Sequence, residues 1–560
     1  MLQGAAALGI YLAVWVSLVT RRLLLHASQA QLLQKSPDPN FYVWSLRWWP
    51  YAVAHGLNPL YSHEIAAPTG HALAWITTTS PLALLTAPLT LTAGPVVSFN
   101  LLEAVALPVS GWAAFVLCRR LTGKFWPALV GGAVFGFSAY EMSHNGAGQI
   151  NLTYSLLVPL LAYFMVVWWQ GSISARTFVI VAELAIAAQF FLFLETFADL
   201  TAFLALALVL GLVLAGRQYR AEVLRLTRLS AVAYLIALVL VAPYLAYALT
   251  TTPPKPAKIT AMDLASLVVP QLGRTFRISW LTSAAAGPRP VSAGCYVGIP
   301  LLVLVLVLAV TGWSSRIVRF LTAILPIIIV ASLGPVLYVE RHREGKLPWA
   351  PLFHLPLVRN SYPSRLMLFA FLALAVATAL FLANPARRVA WLRWPLAVLV
   401  LAAIALNVPA LPLVRHTTVP AFISTGQYQE QLAPNEIVVV VSDVGNAGML
   451  WQAESGFYMR VAGGFLNAGV SHRTDLPRPV QNLSHATPTR VARFEAFLRA
   501  SKIGAIVLDA RRAPAWAGIF AKIGLTGHSV GGVVVYPVNG CQACRSLDWA
   551  QLRGKKTAAA

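Results

Sequence analysis

Long runs of apolar residues recur along the first 414 positions, separated by shorter polar stretches. We predict eleven membrane-spanning helices of roughly 16–23 residues, because about 20 apolar residues in a helix cross a bilayer core of about 30 Å. The predicted spans are 4–24, 96–118, 125–140, 150–169, 178–195, 201–216, 229–250, 299–313, 320–339, 366–384 and 394–414. The pattern therefore indicates an α-helical polytopic membrane protein.

The loops between these spans alternate in charge, and this alternation predicts their orientation. Five short loops are rich in Arg and Lys and contain one acidic residue, Glu222, so the positive-inside rule places them in the cytoplasm. Arg21 and Arg22, at the other end of the first span, disagree with the five loops, which we follow. The segments expected on the outer face are 25–95, 141–149, 251–298, 340–365 and everything after 414.

The stretch 81–94 is apolar but short, and prolines interrupt it. We expect it to be a juxtamembrane or re-entrant segment on the outer face, because it is too short to span the membrane. Counting it as a span would invert every later loop.

The pattern changes after Arg415, where the apolar runs become short enough for strands. We predict strands at 437–442, 504–510 and 531–538 and a helix near 489–502. Residues 415–560 are thus expected to form a small soluble α/β domain on the outer face, and residues 1–414 the membrane domain. Cys541 and Cys544 form a lone CxxC motif, for which a short disulfide or free thiols are expected rather than zinc.

Composition excludes a soluble enzyme. Of 560 residues, 58% are hydrophobic and 11% are charged, whereas an ordinary soluble domain has about 25% charged residues. The net charge of +23 follows from the basic loops, so it does not indicate nucleic-acid binding. No dinucleotide fingerprint or Walker loop is present, so no nucleotide cofactor is expected. Four cysteines and an Ala-, Arg- and Pro-rich sequence favour a bacterial plasma (inner) membrane.

The first outer loop contains the most informative residues. Asp38 stands between Pro37 and Pro39, so we expect extended, non-helical backbone around its carboxylate. Aromatic residues typical of the membrane interface follow, and they predict a loop lying flat on the bilayer: Phe41, Tyr42, Trp44, Trp48, Trp49 and Tyr51. There Asp38 would reach both a lipid-borne and a soluble substrate. Alternatively, Asp38 only caps a juxtamembrane helix. His63 and Glu64 are further polar candidates in this loop.

Carboxylates near or inside the predicted spans are a second signal: Glu103, Glu183, Glu195 and Asp199. An ionised group there is costly unless it faces a polar cavity or a partner. Glu195 and Asp199 lie at the outer turn between two spans and would share a helix face at i and i+4. We favour Glu195 for function.

The segment 141–149 and its flank contain hydrogen-bonding residues that suit a sugar or acceptor: His144, Asn145, Gln149 and Asn151. Glycines among them let backbone approach a ligand closely. His144 has no second histidine at a metal-ligand spacing, so we expect no metal cofactor, with a divalent ion as the alternative.

Arginines on the predicted outer face indicate an anionic ligand. Arg359 and Arg365 precede the span 366–384, and a guanidinium fork suits phosphate oxygens. The preceding outer loop adds Lys255, Lys258, Arg274 and Arg277. The alternative is binding of lipid headgroups.

Together these features resemble the GT-C superfamily of polytopic glycosyltransferases. The resemblance lies in the first span, the long outer loop with its early Asp38 and amphipathic juxtamembrane helices, and the second span ending in CRRLTG. It covers roughly residues 1–250 in detail and the remainder in layout. It implies a polyprenyl-phosphate sugar as donor and Asp38 as catalytic base or acceptor-orienting residue. Many members have an acidic pair, whereas Pro39 follows Asp38 here, which disfavours a metal-dependent variant.

We therefore predict a glycosyltransferase of cell-envelope polysaccharide biosynthesis. It would move a monosaccharide, with inversion, from a polyprenyl-phosphate donor to a glycan, lipid or protein acceptor. Asp38 would act as general base, Arg359 and Arg365 would hold the donor phosphate, and Glu195 would assist catalysis. His144, Asn145, Gln149, Asn151, Asp199, His63 and Glu64 would bind sugar or acceptor.

Two other functions are compatible with the sequence. One is a transporter or flippase of an anionic lipid or glycolipid, coupled to protons through intramembrane carboxylates. We find no internal repeat of the kind that transporters show. The other is a catalytically silent scaffold for envelope assembly.

Overall fold

The computed structural model describes residues 2–28, 30–32, 38–253, 261–270, 294–340, 342–355, 361–408, 414–416, 419–442, 444–464, 476–485, 487–511 and 514–538. Eight helices in these ranges are long and apolar enough to cross a membrane: Leu2–Leu25, Pro95–Thr122, Ile150–Trp169, Ala175–Leu192, Leu194–Leu214, Arg217–Leu249, Pro363–Ala383 and Arg387–Leu406. Phe125–Gly136 and Ile299–Gly312 are shorter apolar helices, and Arg316–Ser332 is a further helix. The prediction of a polytopic helical membrane protein is confirmed.

Several predicted spans end too late. The run 125–140 stops at Gly136, because Ser138 caps a separate helix, Ala139–Gly146, with its side chain accepting from the Glu141 N–H. The run 320–339 ends in a strand, Val336–Val339, paired with His342–Lys346. A short apolar run does not by itself distinguish helix from strand. The last span likewise ends at Leu406, and 414–416 form a strand.

The segment 81–94 does not form a spanning helix. It forms two short helices, Ser80–Leu85 and Ala87–Ala93, followed directly by the long helix Pro95–Thr122. This agrees with the expectation of a segment that does not cross the bilayer.

Close helix packing builds the membrane core. The helices Pro95–Thr122 and Phe125–Gly136 touch through glycines: a Cβ atom at Gly136 would collide with the backbone of Gly111. Small residues allow such close approach where no hydrophobic effect drives association. The helix Pro363–Ala383 is the most buried of the eight spans, so it lies at the centre of the bundle.

Residues after the last span form a five-stranded mixed sheet, here called the C-terminal sheet. Its strand order is His528–Val530, Val533–Pro537, Ala505–Asp509, Ile437–Val441, Arg460–Val461. The strand Ile437–Val441 is parallel to both neighbours, and the other pairs are antiparallel. The accompanying helices include Ala447–Glu454, Pro488–Ala500 and Ala515–Lys522. The predicted strands and helix match these elements to within about two residues, the usual uncertainty of such boundaries.

The strands Ile437–Val441 and Ala505–Asp509 are buried on both faces, which explains why they are almost entirely apolar. Val438 and Val440 face the core shared with the membrane domain. Ile437, Val439 and Val441 face a second core that contains Phe494 and Phe520 of the covering helices. The sheet therefore packs directly on the membrane domain through one face.

The helix Asp38–Ala54, here called the Asp38 helix, is the main contact of the sheet layer. The Trp44 indole N–H donates to Gln452 Oε1 at 2.7 Å. The ring of Phe457 lies 5.9 Å from Trp44, 5.7 Å from Trp48 and 4.5 Å from Tyr51. Trp44, Trp48 and Tyr51 thus pack against the C-terminal layer, so the expectation that these three rings face lipid headgroups is wrong. That the loop lies flat on the bilayer stays a prediction. Both environments suit an apolar ring with a polar edge, so residue type alone does not distinguish them.

Strand pairing adds a second connection between the two parts. Residues Ala30–Leu32, before the Asp38 helix, pair antiparallel with Val414–His416, after the last span. A short hairpin, Tyr61–Ser62 with His71–Ala72, follows the Asp38 helix.

We predict that Gln452→Leu destabilises the protein by about 3 kcal/mol, because each buried polar group left without a partner costs about 1–3 kcal/mol. The Gln452 side chain accepts from Trp44 and donates to the carbonyls of Glu64 and Met459, at 2.7 and 2.9 Å. Thermal unfolding in detergent measures the loss. The matched control is Gln429→Leu at an exposed position. Equal Tm values for the two variants would contradict this account of the junction.

Candidate active site

Asp38 is the first residue of its helix, not part of an extended segment. The expectation of extended backbone is wrong because Pro39 lies in the first helical turn, where a missing N–H removes no hydrogen bond. A carboxylate at this end is favoured by the helix dipole. Asp38 is half-buried. The alternative from the sequence, that Asp38 only caps a juxtamembrane helix, agrees with its position at the helix terminus. It does not explain what the carboxylate binds.

A chain of hydrogen bonds links Asp38 to His144 through Gln149. The Gln149 amide Nε2 donates to Asp38 Oδ2 at 2.7 Å, and Gln149 Oε1 lies 2.6 Å from His144 Nδ1. An ionised carboxylate only accepts, so the amide nitrogen faces Asp38 and the amide oxygen faces His144. His144 Nδ1 therefore has the proton, and Nε2 presents a lone pair.

His144 is neutral at neutral pH. Burial and, to a smaller extent, the charge of Arg365 lower its pKa to about 4, against the opposing effect of the Gln149 hydrogen bond. The ring of Tyr140 packs edge-on against the imidazole at 4.5 Å. The side chain thus has a fixed tautomer and orientation.

The helix Ala139–Gly146 is held in place by its buried polar residues. Ser155 donates to the carboxylate of Glu141, and burial raises the pKa of Glu141 well above its usual value. Asn145 donates to the backbone carbonyl of Glu103 at 2.9 Å and also to its carboxylate. The Tyr42 hydroxyl donates to Asn151 Oδ1 at 2.5 Å. Asn145 and Asn151, predicted to bind sugar, therefore make internal contacts that position the segment.

A second group of residues surrounds Arg365. Its Nη1 forms an ion pair with Glu195 Oε2, and the Tyr362 N–H donates to Glu195 Oε1 at 2.8 Å. Ser361 donates to Asp199 Oδ1 at 3.3 Å. Glu195 and Asp199 lie in the first turns of Leu194–Leu214 and share a face, as the spacing predicts. Because both oxygens of Glu195 accept hydrogen bonds, its geometry suits positioning of Arg365 rather than the predicted catalytic role.

Arg365 retains capacity for another anion. Its guanidinium lies 4.5 Å from the Tyr362 ring centre and 5.1 Å from that of Phe193. A guanidinium has five N–H donors, and among the described residues Glu195 is the acceptor bonded to it. The side chain is 17% exposed, and no nitrogen of Arg365 is among the buried polar atoms without a partner. The donors that Glu195 does not use are therefore not fully buried. Arg359 lies outside the described residues, as do Lys255, Lys258, Arg274 and Arg277.

The two groups belong to one site. Burial raises the pKa of the Tyr42 hydroxyl, the charge of Asp38 raises it further, and the charge of Arg365 lowers it. Arg365 also acts on His144. Arg365 therefore lies close to Tyr42 and to His144, and the two groups are neighbours in the fold.

Comparison with solved structures identifies the fold. The mycobacterial arabinofuranosyltransferase AftD superposes with a TM-score of 0.57 at 16% identity, covering 95% of this chain and 40% of AftD. The apo oligosaccharyltransferase of Archaeoglobus fulgidus gives 0.53 at 12% identity, covering 96% and 75%. Its complex with zinc and sulfate gives 0.50 at 13%, covering 95% and 73%. This chain has the GT-C fold.

The GT-C resemblance predicted from the sequence is confirmed at the level of fold. At these identities the likeness concerns the fold alone, and the chain spans about 40% of the length of AftD. No protein-family model matches the chain, and the search of curated proteins finds no match.

Within this GT-C fold, His63 and Glu64 lie at the junction with the C-terminal sheet. Arg460 donates to the His63 carbonyl at 2.9 Å, and the Val461 N–H donates to the Glu64 carbonyl at 2.8 Å. Burial raises the pKa of Glu64, and Arg460 opposes that rise. Their contacts in the described chain fix the loop against the sheet rather than joining the Asp38–Gln149–His144 chain.

Metal ligands do not cluster in the part of the chain that the structure describes: no group of three or more His, Cys, Asp or Glu side chains there could hold an ion. The expectation of no metal cofactor stays a prediction. Cys541 and Cys544 lie outside the described residues.

Sequence reasoning missed Ser361, Tyr362 and Tyr140 as members of this site. Tyr362 contributes through its backbone N–H and the face of its ring. Neither contribution can be predicted from the residue type alone. Tyr140 precedes Glu141 in the sequence, and by residue type it is not distinguishable from an ordinary core tyrosine.

We predict that stability falls as pH decreases from about 6.5 to 4, and that His144 causes part of this fall. An unfolded histidine has a pKa near 6.5, above the folded value of about 4. The contribution of the neutral side chain is therefore complete above pH 6.5 and is lost toward pH 4, by at most about 3 kcal/mol.

Thermal unfolding against pH measures this effect in wild type and in His144→Asn, whose amide nitrogen replaces Nδ1. The variant should show a shallower fall between pH 6.5 and 4. His55→Asn, at an exposed position, is the control and should follow wild type. Parallel curves for wild type and His144→Asn would exclude this role.

Proposed function

We propose that this protein is a membrane glycosyltransferase that moves a sugar from a polyprenyl-phosphate donor to a hydroxyl group of a cell-envelope acceptor. The observation that carries the proposal is that the Asp38–Gln149–His144 chain and the Arg365 group are neighbours in a GT-C fold. A carboxylate and a guanidinium with open donors are the two groups that such a transfer needs: a proton acceptor and a phosphate binder. The named activities of AftD and the archaeal enzyme point to the same class.

Asp38 is the proposed general base. An acceptor hydroxyl gives its proton to Asp38 while its oxygen attacks the anomeric carbon of the donor sugar. The bond from that carbon to the phosphate oxygen breaks, and its electron pair leaves with the phosphate, so configuration inverts. General-base assistance contributes typically about 10²–10⁴-fold. Gln149 donates to one carboxylate oxygen, and His144 holds Gln149, so the carboxylate keeps its orientation.

Arg365 is the proposed phosphate ligand. Glu195 and the two flanking rings fix the guanidinium plane, and the side chain keeps 17% exposure. An incoming phosphate would meet a guanidinium that is already oriented, which limits the entropy lost on binding. Stabilising the charge of the leaving phosphate is the larger electrostatic contribution. We propose that the donor reaches this site from the outer leaflet and that the acceptor approaches from the outer side.

The competing hypothesis is proton-coupled transport of an anionic lipid. It requires carboxylates that change partners during the cycle. Glu195 instead bonds the backbone and guanidinium of a neighbouring segment, and Glu103 bonds Asn145. These contacts suit a fixed site, so we favour transfer.

We predict that Asp38→Asn lowers turnover by about 10²- to 10⁴-fold, because the amide does not accept the acceptor proton. The assay incubates purified protein in detergent with radiolabelled polyprenyl-phosphate sugars and follows sugar transfer or release. Glu430→Gln, at an exposed position of the C-terminal region, is the control. Unchanged turnover in Asp38→Asn would exclude Asp38 as base. If wild type consumes no donor, transport becomes the hypothesis to test.

We predict that Arg365→Lys lowers kcat/KM for the donor by about 10- to 100-fold. Lysine keeps the charge but loses the planar fork, and a hydrogen bond to a charged group is worth about 1.5–3 kcal/mol. Arg343→Lys, on the exposed hairpin strand His342–Lys346, is the matched control. Normal donor kinetics in a folded Arg365→Lys protein would contradict the assignment.

A further inference from the structure

Tyr140 has a buried hydroxyl group that bonds to nothing in the described chain. Its side chain is 1% exposed, and its Oη has no hydrogen-bond partner among the described residues. Buried hydroxyl groups are almost always satisfied by protein, water or ligand, since leaving one unpaired destabilises the fold. Phenylalanine would fill the same space without that penalty.

Other buried tyrosines of this region do have partners. Tyr42 donates to Asn151, Tyr154 donates to the Leu102 carbonyl at 3.0 Å, and Tyr11 donates to the Leu129 carbonyl at 2.6 Å. The surrounding fold therefore supplies acceptors where a tyrosine hydroxyl serves the structure. Tyr140 differs from these three because its hydroxyl has no partner among the described residues.

The position of Tyr140 indicates what its hydroxyl would bind. Its ring packs on His144, and its hydroxyl experiences the charges of Arg365, Glu141, Asp199 and Glu195. In the described chain the hydroxyl bonds to none of these carboxylates, and Arg365 cannot accept a hydrogen bond. Burial raises the pKa of Tyr140 well above its usual value, so the hydroxyl stays protonated.

Two donors therefore lie in the same region: the Tyr140 O–H and the N–H groups of Arg365 that Glu195 does not use. A ligand that satisfies both must present acceptor oxygens. A phosphate offers several, and its negative charge suits the guanidinium.

We propose that Tyr140 is a second phosphate-binding residue, donating its hydroxyl to an oxygen of the donor phosphate alongside Arg365. This inference rests on the proposed function. The hydroxyl keeps its proton throughout: it strengthens its hydrogen bond as the bond from the anomeric carbon to the phosphate oxygen breaks and negative charge collects on the phosphate. Tyr140 would thus act mainly in the transition state.

Tyr140→Phe tests the inference through two readouts that move in opposite directions. We expect kcat/KM for the donor to fall by about 10- to 100-fold, the usual effect of losing one hydrogen bond to a charged group. We expect Tm to stay the same or rise, because the unpaired hydroxyl is gone. The matched control is Tyr154→Phe, which loses a satisfied hydroxyl: its Tm should fall while turnover of the folded protein is kept.

A binding experiment separates this inference from the proposed function. Farnesyl phosphate should raise the Tm of wild type and raise that of Tyr140→Phe less, whereas farnesol, which lacks the phosphate, should affect both equally. Inorganic phosphate should protect neither at the same concentration, because the phosphate is lipid-linked. Equal protection by inorganic phosphate would overturn the lipid-linked source.

The outcomes distinguish the two failures. Wild type that turns over donor while Tyr140→Phe matches it in kcat/KM and in farnesyl phosphate protection would overturn the role of Tyr140 and leave the proposed function intact. Wild type that neither consumes a donor nor responds to farnesyl phosphate would overturn both. A fall in Tm for Tyr140→Phe as large as that of Tyr154→Phe would show that the hydroxyl is structural.

Discussion

The burial of the Asp38 helix between the membrane bundle and the C-terminal sheet is the contact on which the candidate site depends. Trp44 is completely buried, and its indole N–H donates to Gln452 in the C-terminal layer. Nearer Asp38, the Asn40 side chain donates to the Gly445 carbonyl at 2.9 Å. A helix held from both sides has little freedom to slide or rotate. The carboxylate at its first residue is therefore positioned by two regions that are far apart in the chain.

The polar residues of the site fall into two groups, those bonded fully to the protein and those that keep some exposure. Glu195, Asn145 and Asn151 use their hydrogen-bonding groups on the protein itself. Asp38, His144 and Arg365 are held by such contacts yet keep some exposure. In a site with little water, unpaired polar groups are costly, so orienting residues must be satisfied before the ligand arrives. The Tyr140 hydroxyl departs from this rule, as do one carboxyl oxygen of Glu103 and one of Glu141 among the described residues.

The C-terminal sheet is part of this arrangement and not an appendage. Its strand Ile437–Val441 contributes alternate side chains to the core shared with the membrane bundle. The same layer fixes the loop that contains Glu64 through Gln452 and Val461. In this chain the C-terminal region thus fixes the first long loop, which contains the Asp38 helix.

The sequence by itself determined the class of protein, most of the spans, the strands of the C-terminal sheet and several members of the site. Apolar runs of the length of a span or of a strand are local patterns, so they can be read without knowing what packs against them. It also indicated Asp38, Gln149, His144 and Arg365, because polar groups next to apolar runs are unusual.

Only the tertiary structure decided which of these residues meet and how they bond. Gln149 and Asp38 are separated by 111 positions, and Arg365 and Glu195 by 170. The structure showed that Trp44 and Trp48 face protein rather than lipid, and that both oxygens of Glu195 are occupied. A residue's type reports the polarity that it prefers, whereas its partners depend on the packing of distant segments. Burial and hydrogen-bond direction are properties of that packing, so they could not be read from the chain alone.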